Sequence, residues 1–206
     1  MLDLLFTNPF SFILLFGGLI ISIGLHEAAH AFMADYLGDP TPRSMGRTTL
    51  NPIAHLDPLG TLVILFTGFF GWGKPAPFDP YNLKNPKSDT ALIALAGPAS
   101  NIVIAVALAV LLRFLPLPAA VLTILYSMII LNINLALFNL IPVPPLDGSK
   151  VISLFLSNES ALRYQIQNNR IILLLLILPL FGSVSIAYLL ISPISKLILS
   201  LLLPYN

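Results

Sequence analysis

Cysteine is absent from this 206-residue chain, so no disulfide framework exists and any metal site must be built from histidine and carboxylate. Charge is scarce as well: 9% of residues are charged, against about 25% in a soluble domain. Ten basic residues nearly balance nine acidic ones, and a net charge of +1 gives no reason to expect nucleic acid as a partner. No lipidation signal is visible, because position 2 is Leu and the C-terminus reads Leu-Pro-Tyr-Asn. A cleaved signal peptide is not expected either. The stretch before the first apolar run holds Asp3 and no Lys or Arg, the reverse of a signal n-region.

What the chain has in abundance is apolar length. Hydrophobic residues make up 57% and mean hydropathy is +0.92. Several runs approach the roughly 20 residues needed to cross a bilayer. The expected fold class is an all-α polytopic membrane protein: one membrane-embedded domain over residues 1–206, with a three-span core and C-terminal span or spans. Spans are expected at about 9–34, 90–113, 119–141 and 170–191. The run 61–73 is too short for an ordinary span and dense in Gly, and reads as a re-entrant or interfacial segment with strand character. Ser192-Pro193 is expected to break the last span, leaving a tail over 193–203 that lies in the interface or completes a hairpin.

Basic residues set the orientation. Loops 35–89 and 142–170 together hold Arg43, Arg47, Lys74, Lys84, Lys87, Lys150, Arg163 and Arg170, eight of the ten Lys and Arg. The positive-inside rule makes that side cytoplasmic, in a multi-pass cell (plasma or inner) membrane protein. The first and third spans then end on the same side, which brings His26 and His30 to the depth of Asp147.

Within the first span lies His26-Glu27-Ala28-Ala29-His30, in a chain with only three His. Histidines four apart on a helix share a face and can grip one metal ion. Glu27 beside them can serve as base toward a water whose pKa a zinc ion lowers to about 7. A catalytic zinc usually takes three protein ligands, so a third is required. Asp147, His55 and Asp57 are the candidates. Asp147 follows Pro142-Val143-Pro144-Pro145, whose prolines end a helix and brace a turn, with Gly148 allowing close backbone approach. The same residue could equally cap the next helix. His55 is the only other histidine, with a ligand or supporting role open to it.

These pieces resemble the site-2 protease family of intramembrane zinc metalloproteases. The likeness rests on the His26–His30 motif, Gly97-Pro98-Ala99-Ser100-Asn101, and Asn139 through Leu146-Asp147-Gly148. His55 to Thr61 and Gly71-Trp72-Gly73-Lys74-Pro75 extend it, so it covers about 15–152. It implies His26, His30 and Asp147 as ligands of one Zn2+ per chain, Glu27 as general base, and hydrolysis of a peptide bond within or near a transmembrane segment. It also makes His55, Asn101, Asn139 and Trp72 candidates for supporting the site or binding substrate. Implied partners are single-span membrane proteins, such as anti-sigma factors or remnant signal peptides, within the lipid bilayer. The chain looks like a compact branch, without a PDZ-like or regulatory domain.

Two rival readings remain open from sequence. One is a membrane metal-ion transporter using His26, His30 and Asp147 as a transit site; the other is an inactive relative that binds membrane proteins. Transport does not require Glu27, and internal repeats are not evident. A pure binder would have no need of a base.

Overall fold

The computed structural model describes residues 2–67, 71–166, 170–181 and 184–203. Helices α1 (Leu2–Thr7) and α2 (Pro9–Tyr36) are separated at Asn8, whose side chain accepts the Ser11 N–H at 3.1 Å while Pro9 occupies the first turn. The polar connection that follows contains α3 (Thr41–Ser44), a 3-10 turn over Pro52–His55 and α4 (Pro58–Thr67). Next come the long helices α5 (Pro86–Phe114) and α6 (Ala119–Asn139). Short α7 (Asp147–Ile152) and α8 (Asn158–Ile166) lead to α9 (Arg170–Ile177), a hairpin of β1 (Pro179–Phe181) and β2 (Val184–Ser185), and α10 (Ile186–Leu202).

Three helices, α2, α5 and α6, are long and apolar enough to cross a membrane, and the molecule is an all-α polytopic membrane protein. Small side chains let them approach closely: Ala105 and Ala109 of α5 are buried against Ile129 and Ile133 of α6. Ile198, Leu199 and Leu202 of α10 pack on the same cluster. Side chains such as Ile13, Val103 and Phe114 point outward from the bundle, as expected where the surroundings are lipid rather than water. The α6 helix stops at Asn139 because Pro142, Pro144 and Pro145 offer no backbone N–H to continue it.

Three local expectations change. The strand character expected over 61–73 is confined to a single antiparallel bridge, Leu56 to Gly73, whereas 58–67 is helical; residues 68–70 lie outside the described ones. The expected span 170–191 is divided into α9, the hairpin and the start of α10, since Pro179 has no N–H with which to extend α9. Ser192-Pro193 does not end a helix: α10 runs through it to Leu202, and no separate tail over 193–203 exists.

The loops beside α2 are tied down by Asp39, which is fully buried. Its carboxylate accepts the Thr41 hydroxyl at 2.6 Å, the Asn82 amide at 2.8 Å and the Asp79 N–H at 2.7 Å. Burial alone would raise its pKa, but the bonds from Thr41, Asn82 and Asp79 reverse that and hold it below the ordinary 3.8. A depressed folded pKa means this stabilisation is complete at neutral pH. It fades only as pH falls below 3.8 toward the folded value. Replacing Asp39 by Ala strands those donors, and a detergent melt should show about 2 kcal/mol less stability at pH 7. A loss that persisted undiminished at pH 3 would mean the carboxylate is not its source.

Candidate metal centre

One helical turn separates His26 from His30 on α2, and both rings face inward, 5% and 7% exposed. Asp147, at the first position of α7, is 6% exposed and meets them from 117 residues beyond His30. Its Oδ2 lies 3.2 Å from His26 Nε2 and 3.1 Å from His30 Nε2, and the two Nε2 atoms are 3.0 Å apart. The turn that delivers Asp147 is tight: a Cβ on Gly148 would lie 2.7 Å from the Ile141 carbonyl oxygen and nearer still to that of Leu140. Lys150, one turn along α7, reaches Asp147 Oδ1 at 3.3 Å and leaves Oδ2 to the histidines. Burial opposes the charge on Asp147. The positive charge of Lys150 favours it.

The other side of each ring decides its proton. His30 Nδ1 is 2.6 Å from the Ile93 carbonyl, which only accepts, so Nδ1 carries the hydrogen. His26 Nδ1 is 2.6 Å from Asn101 Oδ1 and donates to it. With Nδ1 protonated in both neutral rings, each Nε2 presents a lone pair toward the other and toward a carboxylate oxygen. Three such acceptors converging at 3.0–3.2 Å repel unless a cation lies between them. Ligands of a tetrahedral zinc, at about 2.0–2.1 Å from it, sit about 3.3 Å from one another, so this donor set fits zinc. His26, His30 and Asp147 thus form a group able to hold one metal ion, with all ligand atoms within 4.8 Å.

Glu27 is half-buried beside this group and is not part of it. Its Oε2 accepts the Ala76 N–H at 3.0 Å, so the non-helical stretch after Gly73 meets the general-base candidate. A Cβ on Gly73 would come within 2.9 Å of Glu27 Cγ and 3.1 Å of the His55 carbonyl oxygen.

The remaining sequence candidates separate. Asn101 touches the centre directly through His26. His55 does not: its ring is buried with Nε2 donating to the Thr49 carbonyl at 2.9 Å, and only its main chain, accepting the Lys74 N–H, borders the Glu27 segment. Asn139 donates within α6 to Leu135. Trp72 is partly exposed and its backbone packs against Gly60. Asp57 caps α4 by accepting the Gly60 N–H at 2.8 Å.

Residues the sequence did not single out for the centre also appear. Gly97 of α5 faces it so closely that a Cβ there would lie 2.6 Å from His26 Nε2 and closer to His30 Nε2. Lys150 and the Ile93 carbonyl complete the surroundings. Gly97-Pro98 was a visible signal, but which face of α5 meets the histidines is a packing outcome.

Comparison with known proteins places these features in context. The sequence profile described as Peptidase family M50 matches residues 116–180. "Putative zinc metalloprotease YwhC" of Bacillus subtilis is 46% identical over 143 residues, 65% of this chain and 65% of its own. "Putative zinc metalloprotease Rip2" of Mycolicibacterium smegmatis is 32% identical over 157 residues, 72% of this chain and 60% of its own. "Zinc metalloprotease MJ0392" of Methanocaldococcus jannaschii is 26% identical over 153 residues, 74% of this chain and 37% of its own. The match thus spans just under two thirds of the first two relatives' lengths and little more than a third of the last. No solved structure matches the chain.

Proposed function

We propose that this chain, which matches the profile of Peptidase family M50 over residues 116–180 and is 46% identical to "Putative zinc metalloprotease YwhC", is an intramembrane zinc metalloprotease, hydrolysing a peptide bond within or beside a transmembrane segment of another protein. The observation that carries the reading is the convergence of His26 Nε2, His30 Nε2 and Asp147 Oδ2 inside the bundle of α2, α5 and α6, with Glu27 alongside. His26, His30 and Asp147 would hold one zinc ion. Zinc bound there supplies a Lewis acid, easing deprotonation of water at neutral pH and drawing electron density from a carbonyl.

Everything else is the work of the chain's own side chains. Glu27 takes the proton of the attacking water on its carboxylate and returns it to the leaving amine. Ala76 N–H, by binding Oε2, holds the carboxylate in one orientation and leaves Oε1 for that proton. Burial of the centre limits water to what the reaction needs. Asn101 supports His26.

A helical substrate must unwind before attack, because each of its carbonyls is already hydrogen-bonded. Residues 71–76 are not helical, bridge to Leu56 at Gly73 and meet Glu27 at Ala76, so an unwound segment can pair along them as an added strand. Crosslinking from Trp72 to a bound substrate tests this; Phe69, the other natural position, lies outside the described residues. Substrates of this kind are single-span membrane proteins, such as anti-sigma factors or remnant signal peptides. The distribution of Lys and Arg supports a cell-membrane location with the centre toward the cytoplasmic side.

Cleavage of a model single-span substrate by purified protein in detergent tests the whole reading. Chelation should abolish cutting, and one equivalent of zinc should restore it. Turnover that continues after the metal has been stripped would overturn the assignment.

A further inference from the structure

Asn132 of α6 and Asn101 of α5 are both fully buried, and their amides form a directed chain that ends on a proposed metal ligand. The direction is fixed from the far end. Asn132 Nδ2 donates to the Met128 carbonyl at 2.9 Å, one turn back on its own helix, and a carbonyl can only accept. That turns Asn132 Oδ1 toward α5, where it accepts from Asn101 Nδ2 at 3.1 Å. Asn101 Nδ2 also faces the Ser22 carbonyl of α2 at 3.3 Å. Asn101 Oδ1 is therefore aimed at His26 Nδ1, 2.6 Å away, and requires a hydrogen there. Three helices are threaded by one polar chain with one polarity.

We infer that Asn132 is a positioning residue for metal binding: acting through Asn101, it locks the His26 imidazole in the tautomer that offers a bare Nε2. This rests on the reading of His26 as a zinc ligand. Without the Asn132 oxygen, Asn101 keeps only its longer bond to Ser22 and can turn its NH2 toward His26. The ring then takes the other tautomer, and its Nε2 hydrogen points to where the metal must bind. A simple packing role for Asn132 makes a different forecast. Leu is close in size and apolar, so it would be the tolerated replacement, and Asp the damaging one.

The relay inverts that order. Buried among apolar helices, an Asp side chain at 132 stays protonated. Its O–H can donate to the Met128 carbonyl while its C=O accepts from Asn101, reproducing both bonds. The test uses full-length protein in detergent micelles, with helical content checked by circular dichroism. It measures zinc affinity by chelator competition and, on metal-free protein labelled with 15N-histidine, the imidazole nitrogen shifts. Wild type and Asn132→Asp should both show His26 protonated at Nδ1 and bind zinc alike. Asn132→Leu should show mixed tautomers and bind zinc about 10- to 100-fold more weakly. Wild-type tautomer and affinity in Asn132→Leu would overturn the inference, as would Asp binding no better than Leu. A wild type with the Nδ1–H tautomer but no affinity for zinc would instead sink the metal-site reading and leave the relay standing.

Discussion

Replacing Glu27 by Gln is expected to leave one zinc per chain in place and to lower cleavage of a transmembrane substrate by about 10²–10⁴-fold. The separation of the two effects follows from geometry. Glu27 contributes no atom to the converging group of His26, His30 and Asp147, so its charge is not needed to hold the ion in the site. Gln has the same length, and its amide oxygen can accept the Ala76 N–H as Glu27 Oε2 does at 3.0 Å. What the amide lacks is a lone pair basic enough to take a proton at neutral pH. Metal content and turnover, measured on the same preparation, therefore part company. Loss of zinc along with activity would show that Glu27 acts as a ligand or a structural support, and turnover close to wild type would remove it from the reaction altogether.

Gly97→Ala should have an effect as large by a different route. One added methyl would stand 2.6 Å from His26 Nε2 and closer to His30 Nε2, far inside van der Waals contact. Neither ring can retreat freely, because Asn101 holds His26 Nδ1 and the Ile93 carbonyl holds His30 Nδ1, each at 2.6 Å. The methyl must displace the ligands or occupy the space between them. Zinc affinity should fall at least about 100-fold, at the upper end of what disturbing a ligand's surroundings costs, and cleavage should fall with it. Ala99→Leu serves as control, since Ala99 on the same helix is exposed and faces away from the bundle interior. Equal zinc affinity in Gly97→Ala and wild type would mean that α5 does not sit against the centre in this way.

Much of the centre was legible along the chain because its signals are local. Histidines four apart in an apolar run share a helix face whatever the tertiary structure does. The proline-rich turn before Asp147 marks a helix end regardless of neighbours. Even so, sequence reasoning left His55 beside Asp147 as a candidate, and nothing in spacing alone separates them. The structure does: His55 Nε2 is turned to the Thr49 carbonyl, while Asp147 reaches both imidazoles. The C-terminal region misled for a related reason. Residues 171–191 are almost all apolar apart from Tyr188 and a few small residues, and hydropathy averages over the break that the hairpin makes.

By itself, then, the sequence determined that this is a membrane protein of several spanning helices, that its first span carries a two-histidine motif with a carboxylate beside it, and that no cysteine takes part; that three long helices span, rather than the four expected, came from the structure. Those properties depend on composition and on spacings of a few residues, which the helix converts directly into faces and lengths. Only the tertiary structure decided which distant carboxylate joins the histidines, why position 97 tolerates no side chain, and how Asn132, two helices away, is connected to His26. Each of these depends on the rotation and depth of one apolar helix against another. In a bundle whose helices are apolar nearly all round, that choice is made by close packing of small residues and by a few buried hydrogen bonds, and neither leaves a periodic trace in the chain.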